Sequence, residues 1–191
     1  MNEGLDFVCA ESSGVPILLC PAELANHWEG INEPTGGREI NAVFHLNGPD
    51  GAHVDYDRAC DAAAEYISSI QIGTGQALVF GDEIPAMYWI KSETFNGGYA
   101  LTWLFLPDAE HPDYRKLIKA LPDGFFSDSG YTVTCSDKGF LLFPSTQSPI
   151  DGDYFESVEI KVPAGTYATG LGFYETSETN IRIIRIQQQN K

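Results

Sequence analysis

Beyond Tyr131 the chain is a succession of short β-type runs, each closed by a turn cluster, and that rhythm constrains the fold more than any other feature. Tyr131 to Cys135, Gly139 to Phe143, Val158 to Val162, Thr166 to Tyr174 and Ile181 to Ile186 read as strands at the spacing of a small sandwich or curled sheet. From Glu156 to Val162 apolar and polar residues alternate cleanly, so one face of that strand is buried and the other wet. The fold class expected is α+β, mainly antiparallel β with a few short helices and a β-rich C-terminal part. At 191 residues the chain can bury one generous core or two small ones. A boundary near Asp123 to Asp128 would divide it into residues 1–124 and 125–191. No linker marks the division, so one continuous domain stays open.

The first part mixes element types. Val15 to Cys20 has the length of a buried strand, and Pro21 to Trp28 reads as a short helix with Pro in its first turn, where the missing N–H costs nothing. Glu29 to Val54 is mostly loop signal, with Ile40 to Leu46 apolar enough for a strand. Asp55 to Tyr66 is alanine-rich and reads as a helix. Ile67 to Ile72 and Ala77 to Phe80 form a hairpin around Gly73-Thr74-Gly75-Gln76, and Met87 to Lys91 pairs with Tyr99 to Leu106 around Asn96-Gly97-Gly98. Tyr114 to Leu121 is a last helix, stopped by Pro122-Asp123-Gly124.

Charge narrows the partners. The net charge is −16, and residues 1–90 alone hold 14 of the 27 acids against only Arg38 and Arg58, which makes that stretch −12. Such a surface repels phosphate backbones and anionic lipid and attracts a cationic partner across about 8 Å at physiological salt. Nucleic-acid and membrane binding are therefore not expected. Simple solubility is the alternative use of the charge. No apolar run reaches the roughly 18 residues of a membrane span, and the start of the chain is acidic where a signal peptide is basic, so a cytoplasmic location is expected. Cys9, Cys20, Cys60 and Cys135 lack CxxC spacing and read as reduced thiols, with an extracytoplasmic disulfide pair as the alternative.

Catalytic motifs do not emerge. The sequence holds no GxSxG, HExxH or Walker A pattern. Gly73-Thr74-Gly75 leads into a strand, so it is a turn and not a phosphate cradle. His27, His45, His53 and His111 are too scattered for a metal site. Asp151-Gly152-Asp153 lacks the later oxygens of a calcium loop and reads as a turn. Asp55-Tyr56-Asp57 fits a helix start, with Asp55 or its neighbour accepting free amides and Asp57 offsetting the positive end, or alternatively an acidic contact edge. No metal or cofactor is expected.

Ordered blocks across residues 7–106 resemble the immunity protein 21 family: Ser13-Gly14-Val15-Pro16-Ile17-Leu18-Leu19, Pro21-Ala22-Glu23-Leu24 with Trp28, Asp55-Tyr56-Asp57-Arg58-Ala59-Cys60, and Ile72-Gly73 through Gly81-Asp82-Glu83 with Pro85 and Trp89. Val15 stands where a second Gly is expected, and Glu29 to Val54 is an insertion. The resemblance implies a protein that binds and neutralises a bacterial toxin domain with a basic surface. The residues expected to touch that partner are Asp55, Tyr56, Asp57, Asp82 and Glu83. Arg58 could pair with Asp82 or Glu83, and Trp28 and Trp89 are expected in the core. A small hydrolase or metal-dependent enzyme using Asp55, Asp57, Asp82 or Glu83 is the rival reading, and a structural β-domain of a larger assembly, which would show an exposed apolar patch, is a third.

Overall fold

The computed structural model describes residues 7–12, 14–31, 54–63, 65–81, 84–105 and 112–189. Their strands are β1 (Val8–Glu11), β2 (Ile17–Pro21), β3 (Ile67–Ile72), β4 (Gly75–Phe80), β5 (Ala86–Lys91), β6 (Gly97–Phe105), β7 (Ser127–Cys135), β8 (Phe140–Pro144), β9 (Val158–Ile160), β10 (Gly165–Glu175) and β11 (Asn180–Gln188). Two short helices, α1 (Asp55–Ala62) and α2 (Tyr114–Lys119), and the 3-10 turns Ala25–His27 and Pro149–Tyr154 complete the set. The strands make a six-stranded sheet, in the order β1-β5-β6-β11-β10-β7, and a five-stranded sheet, in the order β3-β4-β2-β8-β9. Every pairing is antiparallel. This is the α+β, β-dominated class that the rhythm of runs and turns implies.

The sheets face each other, and β2 shows how the sequence pattern arises. Ile17 and Leu19 enter the space between the sheets with Leu78 and Phe80 of β4 and Phe140 and Leu142 of β8. From the opposite sheet they meet Met87 and Trp89 of β5, Tyr167 of β10, and Ile184 and Ile186 of β11. Leu18 and Cys20 point the other way, into a second cluster with Val79, Phe143, Trp28 and Ala59 of α1. A strand covered on both faces has no polar side to present. All five residues of β2 are accordingly buried, which is why its run reads as continuously apolar. The outer face of the six-stranded sheet is covered in the same way, with Tyr88, Ile90, Leu101, Ile181 and Ile183 packed under Tyr114 of α2 and near Phe125 and Phe126. Each fully buried Leu, Ile or Phe contributes about 1.5–3 kcal/mol by leaving water.

Strands from both sides of residue 124 share both sheets. β8 lies between β2 and β9, and β11 lies between β6 and β10. Gly97 marks the tightest of these joins. Its φ is +129°, and a Cβ there would lie 2.0 Å from the Ile186 carbonyl oxygen, so no larger residue fits against β11.

Three local expectations are revised. Pro21 does not open a helix: it is the last residue of β2, opposite Phe140, and the chain then turns into the 3-10 segment Ala25–His27. Pro is accommodated at that strand end, where Ala22 N takes up the pairing by donating to Gly139 O at 3.0 Å. The helix from Asp55 ends at Ala62, four residues before Tyr66, and Ser68 Oγ donates to the Ala62 carbonyl at 2.5 Å. β1 has no signature in the sequence, because four residues with only Ala10 buried carry no detectable period. The strand expected at Ile40 to Leu46 lies outside the described residues.

Candidate functional site

One end of the sandwich gathers most of the exposed apolar side chains. β3 begins there and β4 ends there, with Ile67 opposite Phe80, so Tyr66 and Gly81 are neighbours and Gly81 N donates to Tyr66 O at 3.4 Å. A Cβ on Gly81 would fall 2.2 Å from the carbonyl oxygen of Ala63, so the end of α1 reaches the same place. On the opposite sheet, Phe173 of β10 pairs with Arg182 of β11, and Arg182 with Thr102 of β6, just before Leu104 and Phe105. Among the described residues the exposed large apolar side chains are Val8, Tyr66, Leu104, Phe105, Ile150 and Phe173. Four of these six lie at this end.

Arg182 is the key to the geometry. It alternates with Ile184 and Ile186 and so points between the sheets, where it is 0% exposed. Its Nη2 donates to Gly81 O at 2.8 Å, and its Cζ stands 5.1 Å from the Tyr66 ring centroid. The Tyr66 and Phe173 rings meet edge to face at 5.1 Å. A desolvated guanidinium on an aromatic face contributes about 2 kcal/mol. The buried cation thus fixes Tyr66, and Tyr66 with Phe173 forms a rigid aromatic lip, 41% and 36% exposed respectively. Asp61 and Glu65 are exposed beside it, and Glu175 and Glu178 are exposed at the β10–β11 turn of the same end.

The residues singled out from sequence fall differently. Asp82 and Glu83 follow Gly81 in the chain but lie outside the described residues. Asp55 is not the helix cap: Val54 holds that position, and Asp55 Oδ2 accepts instead from Glu29 N at 2.9 Å. Arg58 pairs with Asp55 at 2.5 Å and donates to Gln71 O at 2.6 Å, covering a carbonyl on the outer edge of β3. Asp57 is 1% exposed. Tyr56 is half-buried, and desolvation, followed by the neighbouring Cys60, pushes its phenol up to about 12. This triplet sits at the start of α1, about 12 Å of helix away from the aromatic lip. Asp55 therefore anchors the start of the helix, and the triplet lies apart from the lip. Trp28 and Trp89 are both buried, and Trp28 Nε1 donates to Ser145 O at 3.0 Å.

The remaining chemistry is quiet. All four cysteines are free, and burial pushes the Cys9 and Cys135 thiols up to about 11 and that of Cys20 to about 12, far from a reactive thiolate. Asp151 belongs to a capping box in which its Oδ2 accepts from Ser148 N at 2.8 Å, so Asp151-Gly152-Asp153 is part of a turn. Gly73 and Thr74 are the hairpin turn between β3 and β4. Among the described residues no three His, Cys, Asp or Glu side chains are grouped to hold a metal ion, and no helix is long and apolar enough to cross a membrane. Sequence reasoning missed Tyr66, Leu104, Phe105, Phe173 and Arg182. The one local signal was Arg182, one of two arginines in the apolar run Ile181 to Ile186 and the one in phase with Ile184 and Ile186. Comparison with protein-family models, with curated proteins and with solved structures returns no match.

Proposed function

We propose that this chain is a non-enzymatic, cytoplasmic immunity protein that neutralises a bacterial toxin domain by binding it, and that the aromatic end of the sandwich is where the toxin docks. The observation that carries this reading is the collection of Tyr66, Leu104, Phe105 and Phe173 at one end, with exposed Asp61, Glu65, Glu175 and Glu178 around them. Exposed aromatic anchors inside a charged rim are the anatomy of a protein contact, and acids in the rim favour a basic partner. The block resemblance over residues 7–106 supports the same reading. So does the structural employment of Asp55, which the enzymatic alternative would need free to act.

The test is co-expression with the variable C-terminal domain of a large secreted protein encoded immediately upstream. The wild-type chain is expected to protect the cell and to co-purify with that domain. Tyr66→Ala with Phe173→Ala should weaken binding by about tenfold or more, while Ile150→Ala, at an exposed apolar residue elsewhere, should not. Lack of protection and of binding, or hydrolytic turnover by the purified chain that disappears in Asp55→Asn, would overturn the proposal.

A further inference from the structure

The cations of this acidic chain are not evenly spread. Lys91, Arg115 and Lys119 line a groove of about 450 Å³ between the β5–β6 hairpin and α2, and Lys116 stands on the same helix. Arg185 of β11 lies over the Phe126 ring at 4.9 Å, and that ring is 5.9 Å from Tyr99, which also lines the groove. Three of the 11 basic residues therefore line this one concavity. The dipole of α2 accounts for Lys116 and Lys119 in its last turn, but not for Lys91 on β5 or Arg115 at the helix start.

Glu93 arranges two of these cations side by side. Its Oε1 accepts from Arg115 Nη1 at 3.1 Å, and its Oε2 pairs with Lys119 Nζ at 3.0 Å. Lys119 first, and then Arg115, hold the Glu93 carboxyl below its ordinary pKa. The lining holds three cations, Lys91, Arg115 and Lys119, against two carboxylates, Glu93 and Asp123, which leaves one positive charge over. Ile90, Ile118 and the Tyr99 ring supply apolar lining beside it. The volume lies in the range of about 300–1,000 Å³ typical of small-molecule pockets.

We infer that this groove binds a small organic anion, whose acidic head lies against Arg115 and Lys119 and whose apolar body rests on Ile90, Tyr99 and Ile118. The head is a carboxylate or a phosphate, the two groups that a guanidinium and an ammonium recognise in common. The groove lies at the β5–β6 turn, the opposite end of β6 from Leu104 and Phe105, so the inference is independent of toxin binding.

The test is titration of the isotope-labelled protein with naphthyl phosphate, naphthoate and uncharged naphthol, followed by amide chemical shifts. Both anions should move the amides of Lys91 to Glu93 and Arg115 to Lys119, and the tighter of the two identifies the head group. Naphthol should bind about tenfold more weakly or worse, as should the anions to Arg115→Gln/Lys119→Gln, while Lys161→Gln leaves binding unchanged. Thermal melts establish that the double variant is folded. Should it not fold, the wild-type shift map and the naphthol comparison decide alone. Naphthol binding as tightly as the anions, shifts centred elsewhere, or undiminished binding by the folded double variant would overturn the inference.

Discussion

Arg182 ties separate parts of the fold together, because a guanidinium with no exposure must find its partners inside the fold. It supports the Gly81 carbonyl and the Tyr66 ring at once. Arg182→Ala would leave a void between the sheets and a carbonyl without its donor. A loss of about 2–4 kcal/mol in urea unfolding is expected, and a loss below about 0.5 kcal/mol would show that neither contact matters. The buried thiols and phenols make a second residue-scale prediction. Cys20 in the folded chain titrates near 12 against an ordinary 9.0, and Tyr56 and Tyr167 near 12 against 10.0, all through desolvation. Above pH 9 the unfolded chain therefore binds fewer protons than the folded one, and stability must fall with rising pH. Urea midpoints should hold steady from pH 7 to about 8.5 and decline between about 9 and 12. A midpoint that stays level through pH 11 would contradict the burial of these groups.

At the scale of elements, two of the short segments, α2 and the turn Pro149–Tyr154, are held by side-chain caps. Six-residue 3-10 and α segments cannot sustain themselves in water, since nucleation alone is unfavourable. The turn Pro149–Tyr154 is held by Ser148, whose Oγ accepts from Ile150 N at 3.2 Å and donates to Trp28 O at 2.7 Å. α2 begins in the same manner, with Asp113 Oδ1 accepting from Lys116 N at 3.0 Å. Ser148→Ala removes both contacts of a buried hydroxyl and should cost about 1–2 kcal/mol. Hydrogen exchange should then rise first around Trp28 and Ser145, which share that cluster. Uniform loosening across both sheets would mean that the turn is not a separate unit.

At the scale of the molecule, sequence halves and spatial ends do not coincide. Glu175 and Glu178, far along the chain, stand at the same end as Asp61 and Glu65, while Lys91, Arg115 and Lys119 line a groove near the β5–β6 turn. If the proposed partner is basic, encounter is steered by that acidic end. Its association rate should fall steeply with ionic strength, with little change in dissociation. Reversing Asp61, Glu65, Glu175 and Glu178 together should slow association more, per charge reversed, than reversing Asp137 and Glu159, which lie away from the lip. Any one exposed charge contributes only about 0–1 kcal/mol, so the group is the unit of the experiment. Rates indifferent to salt would leave the charge with solubility as its role.

The sequence by itself determined the β-rich class, both hairpins and most strand positions, because a buried face forces alternation and tight turns demand their own residues. It also placed Trp28 and Trp89 in the core, since their large apolar area has nowhere better to go. Which strands neighbour which, as with β8 beside β2 and β11 beside β6, had no local signature, for pairing across 75 residues or more is settled by the fit of two complete sheets. The candidate site was hidden for the same reason. Tyr66, Gly81, Leu104, Phe173 and Arg182 come from five strands or their ends, and nothing in their spacing brings them together. Only the closure of one sheet over the other turned a charged residue in an apolar run into the support of an exposed aromatic lip.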